Sequence, residues 1–185
     1  MTVSPEEVDK VWNEADCLWS EQQVERAIDT IAQAVEKDLA DKNPILITVM
    51  NGGLVFAAKL MMRLQFPLEV DYIHVSRYGL GLTGAELQWK VTPEENLENR
   101  TILIVDDILD EGQTLQSIIQ ACKAQGAESV RSAVLVVKQH ERKTDPDFKA
   151  DYVALEVEDR YIFGYGMDYK GYLRNASGIY AVKGK

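Results

Sequence analysis

Thr101-Ile102-Leu103-Ile104-Val105-Asp106-Asp107-Ile108-Leu109-Asp110-Glu111-Gly112-Gln113-Thr114-Leu115 is the stretch on which the fold turns. Thr101 to Val105 is a short apolar run and reads as a buried core strand. It meets two adjacent acids at its end. A turn with two more acids follows, then Gly112, a hydroxyl residue and a helix over Thr114 to Lys123. Leu115, Ile118, Ile119 and Cys122 share one face of that helix. Strand, acidic turn and helix in direct succession form the unit of an α/β protein.

The flanking sequence repeats this alternation. Ser20-Glu21-Gln22-Gln23 reads as a capping box, and Val24, Ile28, Ile31, Val35 and Leu39 then form one helical stripe. Ile45 to Met50 reads as a buried strand broken by Asn51-Gly52-Gly53, and Leu54 to Leu64 as a helix packed on a sheet. Leu68 to Val75 is expected as a strand, Gly79 to Gly84 as a loop, and Leu87 to Val91 as a short returning strand. Ser132 to Val137 and Tyr152 to Val157 complete the core strands. Asp159 to Ala181, rich in Tyr and Gly, reads as short strands and turns. The fold class is therefore α/β with a mainly parallel central sheet flanked by helices. Ligands of such sheets sit beyond the carboxyl ends of the strands.

Composition narrows the function. A chain of 185 residues is one domain by default, able to fold without disulfide or metal staples. With 20 basic and 30 acidic residues the formal net charge is −10, which opposes binding to nucleic acid. The longest apolar runs fall far short of the roughly 20 residues of a membrane span. Met1 to Asp16 has no basic-then-apolar export pattern, which points to a cytoplasmic protein. Cys17 and Cys122 are expected on helices as small reduced hydrophobes. His74 and His140 have no metal-ligand spacing.

Two features of the acidic turn point to a substrate. Glu111-Gly112-Gln113-Thr114 opens a helix, whose free N–H groups and positive dipole end favour a phosphate. Gly112 allows close backbone approach, and Thr114 adds a hydroxyl. Asp106 and Asp107, at the strand end, suit the two hydroxyls of a sugar diol or a hard cation such as Mg²⁺. A phosphate cradle beside a diol-binding pair fits a phosphorylated pentose. The Gly-x-x-x-x-Gly-Lys-[Ser/Thr] loop is absent. For a single Asp, a solvated helix cap would be the simpler reading.

The run Val105 to Thr114 resembles the 5-phosphoribosyl 1-diphosphate signature of the purine phosphoribosyltransferases of the type I fold. The resemblance extends over about residues 15 to 183 and is most like the bacterial hypoxanthine-guanine branch. It implies one domain over residues 1–185, with a hood made by the N-terminal segment and about 155–185. It implies Asp110 as general base at purine N7, Asp106 and Asp107 at the ribose hydroxyls, and Asp110 to Thr114 as the 5′-phosphate cradle. Met50-Asn51-Gly52-Gly53 resembles the pyrophosphate loop, with a non-proline cis peptide between Met50 and Asn51. Ser76-Arg77-Tyr78 and the glycines at 79, 81 and 84 resemble a mobile lid. Lys138, just after its strand, matches the donor to purine O6. Tyr161 matches the ring that stacks on the base, and the Ile162 backbone its edge contact. Asp168 matches a residue near a second Mg²⁺, and Arg174 a pyrophosphate ligand.

The resemblance thus implies purine salvage: transfer of the phosphoribosyl group to hypoxanthine or guanine, with Mg²⁺ as cofactor, in a homodimer or homotetramer. The metal-binding residues would be drawn from Asp106, Asp107 and Asp168. Asn51, Glu111 and Gln113 depart from the family pattern and remove positive or donor groups near an anionic substrate. Glu111, unable to donate to phosphate, is expected to point away. A xanthine-preferring enzyme and a nucleotide-sensing regulator on the same fold are the alternatives. The absence of a basic cluster and the complete set of purine-site residues count against the regulator.

Overall fold

The computed structural model describes residues 3–77 and 87–184. In chain order the elements are α1 (Pro5–Glu14), β1 (Asp16–Trp19), α2 (Glu21–Leu39), β2 (Ile45–Met50), α3 (Leu54–Met61), β3 (Glu69–Arg77), β4 (Leu87–Val91), β5 (Thr101–Leu109), α4 (Gln113–Ala124), β6 (Ser129–Gln139), β7 (Tyr152–Glu158), β8 (Ile162–Phe163) and β9 (Ile179–Ala181). Among the described residues the strands form two sheets, ordered β4-β3-β2-β5-β6-β7 and β1-β9-β8. In the larger sheet only β4 is antiparallel to its neighbour.

The apolar runs explain the layering. Strand residues alternate between faces, so Leu103 and Val105 of β5 enter one core cluster while Ile102 and Ile104 enter the other. Helices α2 and α3 cover the first face with Val24, Ile28, Val35, Phe56 and Leu60. Helix α4 covers the second with Leu115, Ile118 and Cys122. Burial raises the Cys122 thiol to about 11, so it packs as a neutral hydrophobe.

The order of strands places the site. From β2 the chain moves outward through α3 to β3 and β4, then returns to lay β5 on the other side of β2. The sheet direction therefore reverses between β2 and β5, and a crevice opens at their carboxyl ends. The turn 51–53 and the turn 110–112 flank it.

Several expected boundaries shift. Strand β5 continues through both acids to Leu109, because β6 pairs alongside it: Asp106 with Val134, Ile108 with Val136, Leu109 with Val137. Lys138 likewise lies inside β6, paired with Val157 of β7. Ser76 and Arg77 end β3, opposite Gln88 and Leu87, and are not loop residues. Helix α3 stops at Met61. Cys17 is exposed on strand β1 instead of lying in a helix, because β1 pairs with β9 from the far end of the chain. Tyr78 and the glycines at 79, 81 and 84 lie outside the described residues.

The start of α2 has its expected capping box, with the Ser20 side chain toward the Gln23 backbone and the Ser20 N–H donating to the Gln23 side chain at 3.0 Å. Helix α1 was not apparent from periodicity because Val8 is its one buried residue; Ser4 caps it and Pro5 starts it.

Glu25 ties the layers together. It accepts from Tyr165 at 2.5 Å and pairs with Lys59 at 2.7 Å and Arg63 at 2.6 Å. Burial alone would raise this carboxyl. Lys59, Tyr165 and Arg63 outweigh it and lower the value to about 2.

Candidate active site

The crevice at the strand ends holds a cavity of about 330 Å³, and a smaller one of about 170 Å³ adjoins it. Asp107, Ile108 and Asp168 line both and form their common wall.

The larger cavity is built from the ends of β2 and β5. Met50, Asn51 and Gly52 line one side, and the Met50–Asn51 peptide is cis. Gly52 is required by close approach: a Cβ there would lie 1.9 Å from Asp107 Oδ2. A Cβ on Gly166 would likewise meet the Gly52 carbonyl at 2.1 Å, so these two backbones touch directly. Asp106, Asp107, Asp110, Gly112 and Thr114 form the other side. Gly112 takes φ +89° at the start of α4, which turns the helix N-terminus onto the cavity. That end of a helix attracts anions.

The two strand-end carboxyls are deeply placed. Burial drives Asp106 well above the ordinary carboxylate range, and the adjacent Asp107 charge adds to this. Burial raises Asp107 also, against the pull of the Arg174 charge. Hydroxyl donors or a divalent cation would relieve such a pair. Among the described residues no three Asp, Glu, His or Cys side chains converge on one point. Two adjacent carboxyls on the cavity wall are a donor set that fits Mg²⁺, which binds through one or two carboxylates and completes its shell with substrate phosphates and water.

Arg174 and Asp168 close the cavity from the chain's far end. Arg174 Nη2 meets Asp168 Oδ1 at 2.6 Å, and Nη1 donates to the Gly166 carbonyl at 2.6 Å. Asp168 Oδ2 also accepts from the Gly171 N–H at 2.6 Å. Asp168 is thus both a turn residue and a wall of the site.

The smaller cavity is lined by Lys138, Tyr161, Ile162 and Met167 besides the shared wall. Lys138 is nearly buried, and its Nζ stands 3.4 Å from Asp110 Oδ2 and 3.9 Å from Asp159 Oδ1. Tyr161 is 41% exposed and meets the Tyr169 ring edge-on, which leaves one flank available for stacking.

Not every expected residue reaches a cavity. Gly53 caps α3, and Glu111 within the turn and Gln113 just after it line neither space. Ser76, near the end of β3, lines neither cavity. Conversely His74, Val75, Ile108 and Met167 line the site with no signal beyond their strand or turn positions. His140 contacts Asp110, although nothing in its spacing marks it.

Comparison with known proteins matches this geometry. A model of the phosphoribosyl transferase domain matches residues 15–170. The hypoxanthine-guanine phosphoribosyltransferase of Streptococcus mutans is 35% identical, over 90% of this chain and 92% of that protein. Its Bacillus subtilis counterpart is 32% identical over the same shares. A crystal structure of a hypoxanthine phosphoribosyltransferase from Staphylococcus aureus superposes with a TM-score of 0.87 at 28% identity, covering 93% of this chain and 94% of that one. A hypoxanthine-guanine-xanthine phosphoribosyltransferase superposes with a TM-score of 0.82 at 30% identity, covering 91% and 96%.

Proposed function

This chain belongs to the phosphoribosyltransferase family and has its type I fold, and on that premise we propose that it is a purine salvage enzyme. It transfers the phosphoribosyl group of 5-phosphoribosyl 1-diphosphate to hypoxanthine or guanine, giving IMP or GMP and pyrophosphate. The observation that carries this reading is the Lys138 ammonium 3.4 Å from Asp110 Oδ2. A 6-oxopurine with its proton on N7 presents an acceptor, O6, beside a donor, N7–H. A lysine donor beside a carboxylate acceptor is the complement of that edge. Adenine would set an amino donor against the ammonium and leave both unpaired.

The larger cavity would take the donor substrate. The start of α4, with Gly112 and Thr114, would hold the 5′-phosphate, and Asp106 and Asp107 the ribose hydroxyls. Backbone N–H groups of Asn51 and Gly52, with Arg174, would hold the diphosphate, the Gly53 N–H being taken by the Val49 carbonyl at 2.9 Å. Mg²⁺, held by one or two of Asp106, Asp107 and Asp168 with substrate oxygens, would neutralise the leaving diphosphate. The smaller cavity would take the base, stacked on Tyr161 and edged by the Ile162 backbone. Purine N9 attacks C1′, the bond from C1′ to the diphosphate oxygen breaks, and the N7 proton passes to Asp110.

The same reading makes the protein a cytoplasmic homo-oligomer. Leu54 and Met62 at the two ends of α3, with Val70 and Tyr72 on β3, are large apolar side chains left exposed in the single chain. No helix among the described residues is long and apolar enough to cross a membrane.

The deciding experiment is a steady-state assay with 5-phosphoribosyl 1-diphosphate and Mg²⁺, offering hypoxanthine, guanine, xanthine and adenine in turn. Turnover of hypoxanthine and guanine without adenine is expected. Absence of turnover with every base in a folded protein would remove the enzymatic reading, and a dominant rate with xanthine would reassign the substrate.

A further inference from the structure

We propose that His140 is the positioning residue of the general base: it holds one oxygen of Asp110 and leaves the other facing Lys138 and the N7 proton. This rests on the purine-transfer reading and adds a residue to its proton path.

A chain of directed contacts supports this role. The His140 side chain is 5% exposed. Its Nε2 lies 2.6 Å from Asp110 Oδ1. Its Nδ1 accepts the Arg142 backbone N–H at 3.0 Å. A nitrogen that accepts a hydrogen bond carries no proton, so the ring proton sits on Nε2 and is donated to Asp110. Asp110 Oδ2 is the oxygen left nearer Lys138, at 3.4 Å. The two oxygens therefore have separate neighbours, and the one beside Lys138 is placed for the N7 proton. Without a partner on Oδ1, rotation of the carboxylate would exchange the two oxygens and loosen the pairing with Lys138.

The loop that bears His140 is itself fastened to the acidic turn. The Thr144 N–H donates to the Glu111 carbonyl at 3.1 Å, and Gln116 Nε2 donates to Asp145 Oδ2 at 3.3 Å. The Phe148 ring packs against Gly112, with Cδ1 3.1 Å from where a Cβ would stand. The remaining charged groups around the pair are Lys138, Glu111, Arg142 and Asp159. Arg142 is engaged by Asp159 through both guanidinium nitrogens, and its Nη2 stays 3.8 Å from Asp110 Oδ1. His140 is thus the closest donor to Asp110 among them.

The test separates the two ring nitrogens. In His140→Gln the amide nitrogen occupies the reach of Nε2 and keeps the donor to Asp110. In His140→Asn the amide oxygen occupies the place of Nδ1, so the loop contact to Arg142 stays and the donor to Asp110 is lost. A hydrogen bond to a charged group supports an expected fall in kcat of roughly tenfold to a hundredfold for His140→Asn. The KM for 5-phosphoribosyl 1-diphosphate should stay within about twofold, and His140→Gln should recover most of the lost rate. A merely structural histidine gives the reverse order, with Asn active and Gln impaired, and that result overturns the assignment. If substitution lowers the yield of folded protein, the Asp110→Asn background decides the question. There His140→Asn should bring no further loss of kcat per folded molecule, and a full additional loss would overturn the proposal. A wild-type protein inactive on every purine would instead overturn the purine-transfer reading, and this inference with it.

Discussion

The two cavities share a wall but are built in opposite ways. The larger one draws most of its lining from two short runs, 49–52 and 106–115, each at the end of one strand. The smaller one draws on 107–108, 138, 161–162 and 167–168, which come together only when β6 and the C-terminal turns are in place. The first is local sequence positioned by the reversal of strand order between β2 and β5. The second is an assembly across distant parts of the chain. A donor that carries phosphates can be held by turns and a helix end. A flat heterocycle needs an edge and a face from separate elements.

Substitutions can break or sharpen this division. The largest effect is expected at Asp110, which lines the larger cavity and faces Lys138 of the smaller. Asp110→Asn should lower kcat by about 10²- to 10⁴-fold, the usual span of general-base catalysis, with little change in donor KM. Steady-state kinetics check this, and near wild-type turnover would remove Asp110 from the proton path. Gly52→Ala should act first on the larger cavity, which Gly52 lines, and reach the smaller one only through Asp107 of the shared wall. Its Cβ would overlap Asp107, and overpacking of about 1–3 kcal/mol corresponds to roughly a 10- to 100-fold weaker donor. Titration with 5-phosphoribosyl 1-diphosphate should show that loss, while base KM at saturating donor changes less.

Lys138→Ala should act on the smaller cavity alone. The ratio of kcat/KM for hypoxanthine over adenine should fall by about tenfold or more, since an unpaired polar group no longer penalises adenine. Competition between the two bases in one reaction measures it, and an unchanged ratio would detach selectivity from this lysine.

The smallest effect concerns the joint between the two constructions, where Glu25 of α2 holds Tyr165 of the C-terminal turns. Its folded value of about 2 lies below the ordinary 4.5, so it stabilises the fold above pH 4.5. That contribution is lost as pH falls from 4.5 toward 2. Allowing for solvent screening, it is on the order of 1–2 kcal/mol. Thermal melts should show Glu25→Gln losing a few degrees less than wild type between pH 5 and pH 3. Parallel slopes would show that the joint is not held by this charge.

The same division governed what could be read from the sequence. The acidic turn and the glycine turn were legible because each is contiguous and its chemistry is set by neighbours. The strand limits beside them were not. Asp106-Asp107 looks like the end of an apolar run, yet the β6 ladder carries the backbone through both acids. Lys138 looked like a residue beyond its strand for the same reason, since β7 extends the pairing. Strand β1 could not be read from Asp16-Cys17-Leu18-Trp19, because its partner β9 lies about 160 residues later. His140 offers no pattern at all in one dimension. Its relation to Asp110 exists only because a loop after β6 folds back on the turn after β5.

The contact between Gly52 and Gly166 bears on how this protein can diversify. Two backbone segments over a hundred positions apart meet with no room for even a methyl group. In a saturation library both positions should return glycine almost without exception. Insertions beside either one should be purged more strictly than the replacement of many core side chains. New specificity would therefore arise from Tyr161, Met167 and the loop bearing His140, and the seam would pass unchanged through any such series.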